Sequence, residues 1–160
     1  LDWTAQHLKA WYGQDIPQIP GPNKSVSHAV RLALAGDAGQ RALIAWHFGW
    51  LPAQQTSGTN WLGPILGQLL DDPYAAVRLV AERSIRTINL LPENYDYTIA
   101  PNERAPAREA VWEKWIQSEM NLTPQRQAEL LVWPRDPDRQ RRSFEEFLAS
   151  RDHRNVRLRE

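Results

Sequence analysis

Cysteine is absent from the 160 residues of this chain. That removes disulfides, thiolate nucleophiles, Cys-ligated metals and any covalently attached c-type haem, which needs two thiols. Net charge is absent as well: 19 basic and 19 acidic residues cancel, and only three of the basic ones are lysine. No global field draws in nucleic acid or an anionic membrane, although a local basic patch is still allowed. No apolar run approaches the ~20 residues that span a bilayer, and no signal-peptide pattern is read. Strand-like alternation of Val, Ile and Thr is nearly missing. Tryptophan, by contrast, is plentiful, with eight residues. Each brings a large apolar area and one N–H that wants a partner, which suits packing between helices or an aromatic ligand surface.

Helical spacing with capping residues fills most of the chain. Trp3, His7, Leu8 and Trp11 make one face of a helix expected over 3–12, with Asp2 as N-cap and Gly13 as stop. After a proline-rich loop, Ser25 is expected to cap a helix over 26–35 that Gly36 ends. Asp37 and Gln40 form a variant capping box that opens a helix running to about Trp50. Residues 51–60 read as a loop, and Trp61 to Leu70 as a helix with Pro64 tolerated in its first turn. Asp72 then reads as an N-cap, with Pro73 at the first position of a helix to about Ile88. Residues 89–105 read as irregular, either functional or pinned over the core. Pro106 is expected to open a helix to about Met120. Two more are expected over 124–132 and 137–150, before an arginine-rich extended tail.

Helix, Asp-containing turn, helix therefore occurs twice, with turns at Asp37 and Asp72 about 35 residues apart, within the ~20–50-residue range of solenoid repeats. Leu69 to Ile88 resembles a HEAT repeat on the strength of Asp71, Asp72, Pro73, Val77, Arg78 and Ala81. The resemblance implies that Asp72 and Arg78 brace adjacent repeats, a structural role. The pair 25–50 is a weaker match, with Asp37 and Arg41 but no proline. A narrower resemblance is carried by Leu1 to Gly13, which ends in Trp11-Tyr12-Gly13, by Ala45-Trp46-His47-Phe48-Gly49-Trp50 and by Asp72 to Arg78. These look like the region that follows the last Cys-x-x-Cys-His motif in certain bacterial multihaem c-type cytochromes. The resemblance implies a parent protein with haem c upstream, an extracytoplasmic, periplasmic location, and a piece that itself holds no cofactor. His7 would be the residue nearest such a haem.

Chemistry-bearing patterns are sparse. The four histidines lack the spacing that puts two metal ligands on one helix face. There is no Gly-x-Ser-x-Gly elbow and no phosphate-binding glycine loop. Asp71-Asp72 and Glu145-Glu146 are neighbours at caps or surfaces, not carboxylates converging on a cleft. The arginines from Arg135 to Arg159 are interspersed with acids and read as a solvated, ion-paired surface.

The sequence thus predicts an all-α fold: antiparallel helix pairs stacked as a short HEAT-like α-solenoid with a C-terminal helical extension. One helical domain spans 1–160, with the repeat part at 1–88, the loop at 89–105 and the C-terminal part at 106–160. The expected function is a non-catalytic scaffold or protein-interaction domain, the C-terminal part of a multihaem cytochrome c in electron transfer, holding a protein partner or the haem domain of its own chain. Trp50, Trp61, Trp112 and Trp115 are the candidate contact anchors. Alternatives are a HEAT-like DNA glycosylase, prompted by Trp112 and Trp115 beside Glu113, and a cytoplasmic HEAT adaptor.

Overall fold

The computed structural model describes residues 2–13, 15, 26–119 and 144–152. Among these the regular elements are all helices: α1 (Asp2–Tyr12), α2 (His28–Ala35), α3 (Ala38–Phe48), α4 (Leu51–Ser57), α5 (Leu62–Leu70), α6 (Ala75–Arg86), α7 (Pro101–Glu119) and α8 over 144–149. The joint between α2 and α3 forms as its residues dictate. The Gly36 N–H closes on Leu32. The Asp37 carboxylate accepts from the Gln40 N–H at 2.8 Å, and the Gln40 side-chain Oε1 accepts from the Asp37 N–H at 3.0 Å. Two of the orphan donors at the start of the new helix are thereby met, and the chain doubles back at once. α1 ends as expected, with Gly13 at φ +65°, a conformation glycine adopts without strain.

α5 is the centre of the molecule. Every residue of Leu-Gly-Pro-Ile-Leu-Gly-Gln-Leu-Leu except Gln68 is buried, because α2, α6 and α7 all pack on it. α3 packs on both α2 and α6. The crossing of α3 with α6 is close: a Cβ on Gly49 would sit 2.9 Å from the Ser84 Cα, and the Ser84 hydroxyl donates to the Ala45 carbonyl at 2.7 Å. α7 approaches α5 just as closely, since a Cβ on Gly63 would meet Trp115 at 2.8 Å.

Several boundaries differ from the sequence expectation, each for a physical reason. α2 begins at His28 with Ser27, not Ser25, in the capping position; Ser25 lies outside the described residues. Residues 51–57 are helical, not loop. Pro52 falls in the first turn of α4, where a missing N–H costs nothing. Gln54 anchors that turn by donating to the Phe48 carbonyl at 2.8 Å and to the Thr87 hydroxyl at 2.7 Å. α6 starts at Ala75, after Asp72 and Pro73, because the Asp72 side chain is drawn into the core. α7 starts at Pro101, and Pro106 lies inside it. Pro106 leaves unpaired the carbonyl four residues back, on exposed Asn102, where water can replace the lost donor.

The irregular stretch between α6 and α7 is pinned over the core. The buried Tyr95 hydroxyl donates to the Leu70 carbonyl at 2.8 Å, meeting one of the acceptors that the end of α5 leaves open. Arg78 Nε donates to the Tyr97 carbonyl at 2.7 Å, and the Tyr97 N–H donates to Glu82 at 3.1 Å. In α8, Phe144 and Phe147 are buried, with Leu148 half-buried. The helix expected over 124–132 and the arginines Arg139, Arg141 and Arg142 lie outside the described residues.

Candidate functional site

Three places merit a chemical reading: a buried polar junction, an exposed aromatic face and one small cavity. The junction is built where the turns of the two helix pairs meet. Asp72, fully buried, receives two hydrogen bonds from Arg41 of α3: Nε at 2.7 Å and Nη2 at 3.1 Å. Arg41 is itself fully buried and gives Nη1 to the Gly36 carbonyl at 2.6 Å. Arg151 approaches the same carboxylate at 3.3 Å and donates Nε to the Leu34 carbonyl at 3.0 Å. The Asp72 carboxylate also accepts from the Tyr74 N–H at 3.0 Å. Two guanidinium groups thus share one carboxylate, and among the described residues the Arg151 Nη2 has no hydrogen-bond partner. Burial lowers the Arg151 pKa; Asp72 opposes that shift and Arg41 adds to it.

Two expectations are corrected here. Of the two residues expected to brace adjacent repeats, Asp72 reaches the preceding helix pair, through Arg41, and Arg78 does not. Arg78 reaches only backbone, donating Nη1 to the carbonyls of Asp72 at 2.6 Å and Pro73 at 3.0 Å. Six residues of separation, with Pro73 between, turn Arg78 back onto its own turn, whereas Arg41 faces that turn from α3. Burial lowers the Arg78 pKa, Arg104 lowers it further, and Tyr95 and Asp72 oppose. Second, Arg151 and Asp152 are no solvated tail. The Arg151 side chain, 7% exposed, packs against Asp72, and the Asp152 N–H donates to the Ala35 carbonyl at 3.0 Å. The interspersed acids nearby in sequence gave no hint, because the partner lies 79 positions upstream (151 − 72).

Of the remaining signature residues, Asp37 is the capping carboxylate of α3, Val77 is buried in the core and Pro73 is exposed at the turn. The four candidate tryptophans do not form one surface. Trp115 is buried, with its Nε1 donating to the Asn60 carbonyl. Trp112 is half-buried beside it, ring centroids 5.3 Å apart, and also meets Phe144. Trp61 packs edge-on to Phe48 at 5.1 Å and donates to the Ser57 carbonyl. Only Trp50 is exposed, and its neighbour is Trp46, which the sequence analysis did not single out as an anchor. Their rings lie 6.2 Å apart and within 13° of parallel. His47 stands perpendicular to both, at 4.9 Å from Trp46 and 6.4 Å from Trp50. Two features of the sequence carry this face: the spacing of Leu43, Trp46 and Trp50, and the absence of any Asp, Glu, Lys or Arg between Arg41 and Asp71.

The cavity, about 230 Å³, lies between α5, α7 and α8, floored by Gly63 and Gly67 and walled by Trp112 and Phe144. It is smaller than the ~300 Å³ at which small-molecule sites begin. Its one cation, Arg108, is already engaged by Asp71 at 2.9 Å and Glu109 at 3.2 Å. His7 lies on α1, edge-on to Trp11 at 4.7 Å. Among the described residues no group of three metal-ligating side chains forms, and no helix is long and apolar enough to cross a membrane. No family model, curated protein or solved structure matches this chain.

Proposed function

We propose that this chain is a non-catalytic helical-repeat scaffold of HEAT type, serving to hold a protein partner. The observation that carries the reading is the Arg41–Asp72 pair. It joins the α3 helix of one Asp-turn unit to the turn of the next, so the two units are fixed to each other by a buried bidentate contact. The packing of α3 on α6 and of α2 on α5 agrees with two stacked helix pairs, a short solenoid whose units need each other to bury their apolar faces. α7 and α8 then form the C-terminal extension.

The resemblance of the first hundred residues supports a place in the C-terminal part of a periplasmic multihaem cytochrome c. This chain's own residues do not fit a covalent haem, since it has no thiol to attach one. His7 on α1 remains the residue nearest such a group in the parent, and the role of this domain there is to position the haem domain or a redox partner. The test is the absorption spectrum and intact mass of the full native gene product. Covalently bound haem is the expected result. A haem-free product removes the cytochrome setting and leaves a HEAT adaptor or a nucleic-acid enzyme.

A further inference from the structure

The outer side of α3, continuing into α4, carries the largest exposed apolar side chains of the central part of the chain: Leu43 at 57%, Trp46 at 54%, Trp50 at 49% and Leu51 at 63% of full exposure. Contiguous exposed apolar surface of this kind usually marks an interaction site. Leu43 and Trp46 lie one turn apart on α3, and Trp50, in the capping position of α4, stacks its ring on Trp46. Trp46, His47 and Trp50 are held against one another in parallel and perpendicular contacts. A rigid aromatic surface of this type loses little side-chain freedom on binding.

We infer that this face pairs with the same face of a second copy of the chain across a two-fold axis. The inference rests on the protein-interaction reading above and names the site and the partner. A two-fold contact sets a surface against itself, so any net charge on it repels its own image. The segment that builds this face contributes none, because no Asp, Glu, Lys or Arg occurs between Arg41 and Asp71. Hydrogen-bonding groups on the face are self-complementary too. His47 Nδ1 lies 2.9 Å from the Leu43 carbonyl. A carbonyl only accepts, so Nδ1 carries the proton, and in the neutral ring Nε2 is left as an acceptor. The indole N–H groups of Trp46 and Trp50 are donors only. One copy therefore offers the donors that the His47 of the other can use. The flanking Leu43 and Leu51 offer nothing to sugar hydroxyls, which favours a protein surface over a glycan.

Sedimentation velocity of the chain from micromolar to sub-millimolar concentration tests this. A reversible monomer–dimer equilibrium is expected. Trp46→Glu should weaken it by about thirtyfold or more, as for loss of an interface hot spot, with the far-UV circular dichroism unchanged because the side chain is exposed. Leu43→Glu and Leu43→Lys should each be monomeric alone and should dimerise when mixed. A chain that stays monomeric throughout, or a dimer indifferent to Trp46→Glu, overturns the inference. The cytochrome setting is judged separately by its haem assay, and a monomeric chain would leave the scaffold reading standing.

Discussion

The two sides of α3 invert the ordinary arrangement of a surface helix. Its inner side, Ala38, Arg41, Ala45 and Phe48, places a guanidinium at the most buried point. Its outer side, Leu43, Trp46 and the following Trp50, presents apolar groups to solvent. A helix with one apolar and one charged stripe would do the opposite. The inner charge is tolerable because it is met: Arg41 finds a bidentate carboxylate and a carbonyl within 3.1 Å. The outer apolar stripe has no such partner within the described chain. A buried ion pair adds little net stability over a well-packed apolar core, but it is costly to break and it fixes one register. The inner side thus ties α3 to the turn that precedes α6, and the outer side is the one we infer pairs with a second copy.

The most damaging way to break this comparison is to remove the shared anion. Asp72→Ala leaves two buried guanidinium groups facing each other, and a loss of about 3–5 kcal/mol is expected in urea unfolding. A loss below about 1 kcal/mol would mean that water reaches the junction and that it is not the fixed point of the stack.

The two arginines sharpen the same comparison, because they are not equivalent. Arg41→Met removes both short bonds to Asp72 and leaves the Tyr74 N–H at 3.0 Å and the longer approach of Arg151 at 3.3 Å. Arg151→Met removes that longer approach and the Nε bond to the Leu34 carbonyl, but also an unmet Nη2 donor. Arg41→Met should therefore cost at least about 2 kcal/mol more than Arg151→Met. Equal losses in paired unfolding curves would show that α8 and its following residues hold the junction as firmly as α3 does.

Tyr95 offers a smaller effect with a pH signature. Tyr95→Phe loses one buried hydrogen bond to the Leu70 carbonyl, about 1 kcal/mol near neutral pH. Burial pushes the Tyr95 pKa above its ordinary value of 10, with Arg78 opposing and Glu82 reinforcing. The fold thus favours the neutral phenol. The resulting stability is fully present below pH 10 and drains away as pH rises from there through the folded value. Alkaline unfolding should be less steep in Tyr95→Phe than in the parent chain; superimposable profiles would assign the alkaline loss to other groups.

The sequence made the local devices legible and the long-range pairings opaque. The Asp37–Gln40 box and the Gly13 stop are written within a few residues and formed as read. Pro64 in the first turn of α5 was read the same way. What failed was what depends on tertiary partners. The resemblance implied that Asp72 and Arg78 both brace the neighbouring unit, but only Asp72 reaches it, through Arg41, 31 positions upstream. Arg151 looked like one more solvated arginine because nothing near it in the chain says that Asp72 lies beside it. Tryptophan count alone could not separate Trp115, inserted between α5 and α7, from Trp50, which stands in solvent; the charge-free stretch around Trp50 was the better signal.

The gentlest test sets one exposed and one buried ring of α3 side by side. Trp46→Ser and Phe48→Ala lie two residues apart on the same helix. If the outer stripe contributes nothing to the fold of the single chain, Trp46→Ser should change unfolding free energy by no more than about 0.5 kcal/mol. Phe48, packed against Trp61, should cost about 3–5 kcal/mol on truncation. The measurement belongs at the lowest protein concentration that gives a signal, since any self-association would add concentration-dependent stability to the parent chain alone. A Trp46→Ser loss above about 1.5 kcal/mol that persists on dilution would place Trp46 in the fold itself, and the two sides of α3 would no longer divide between stacking and association.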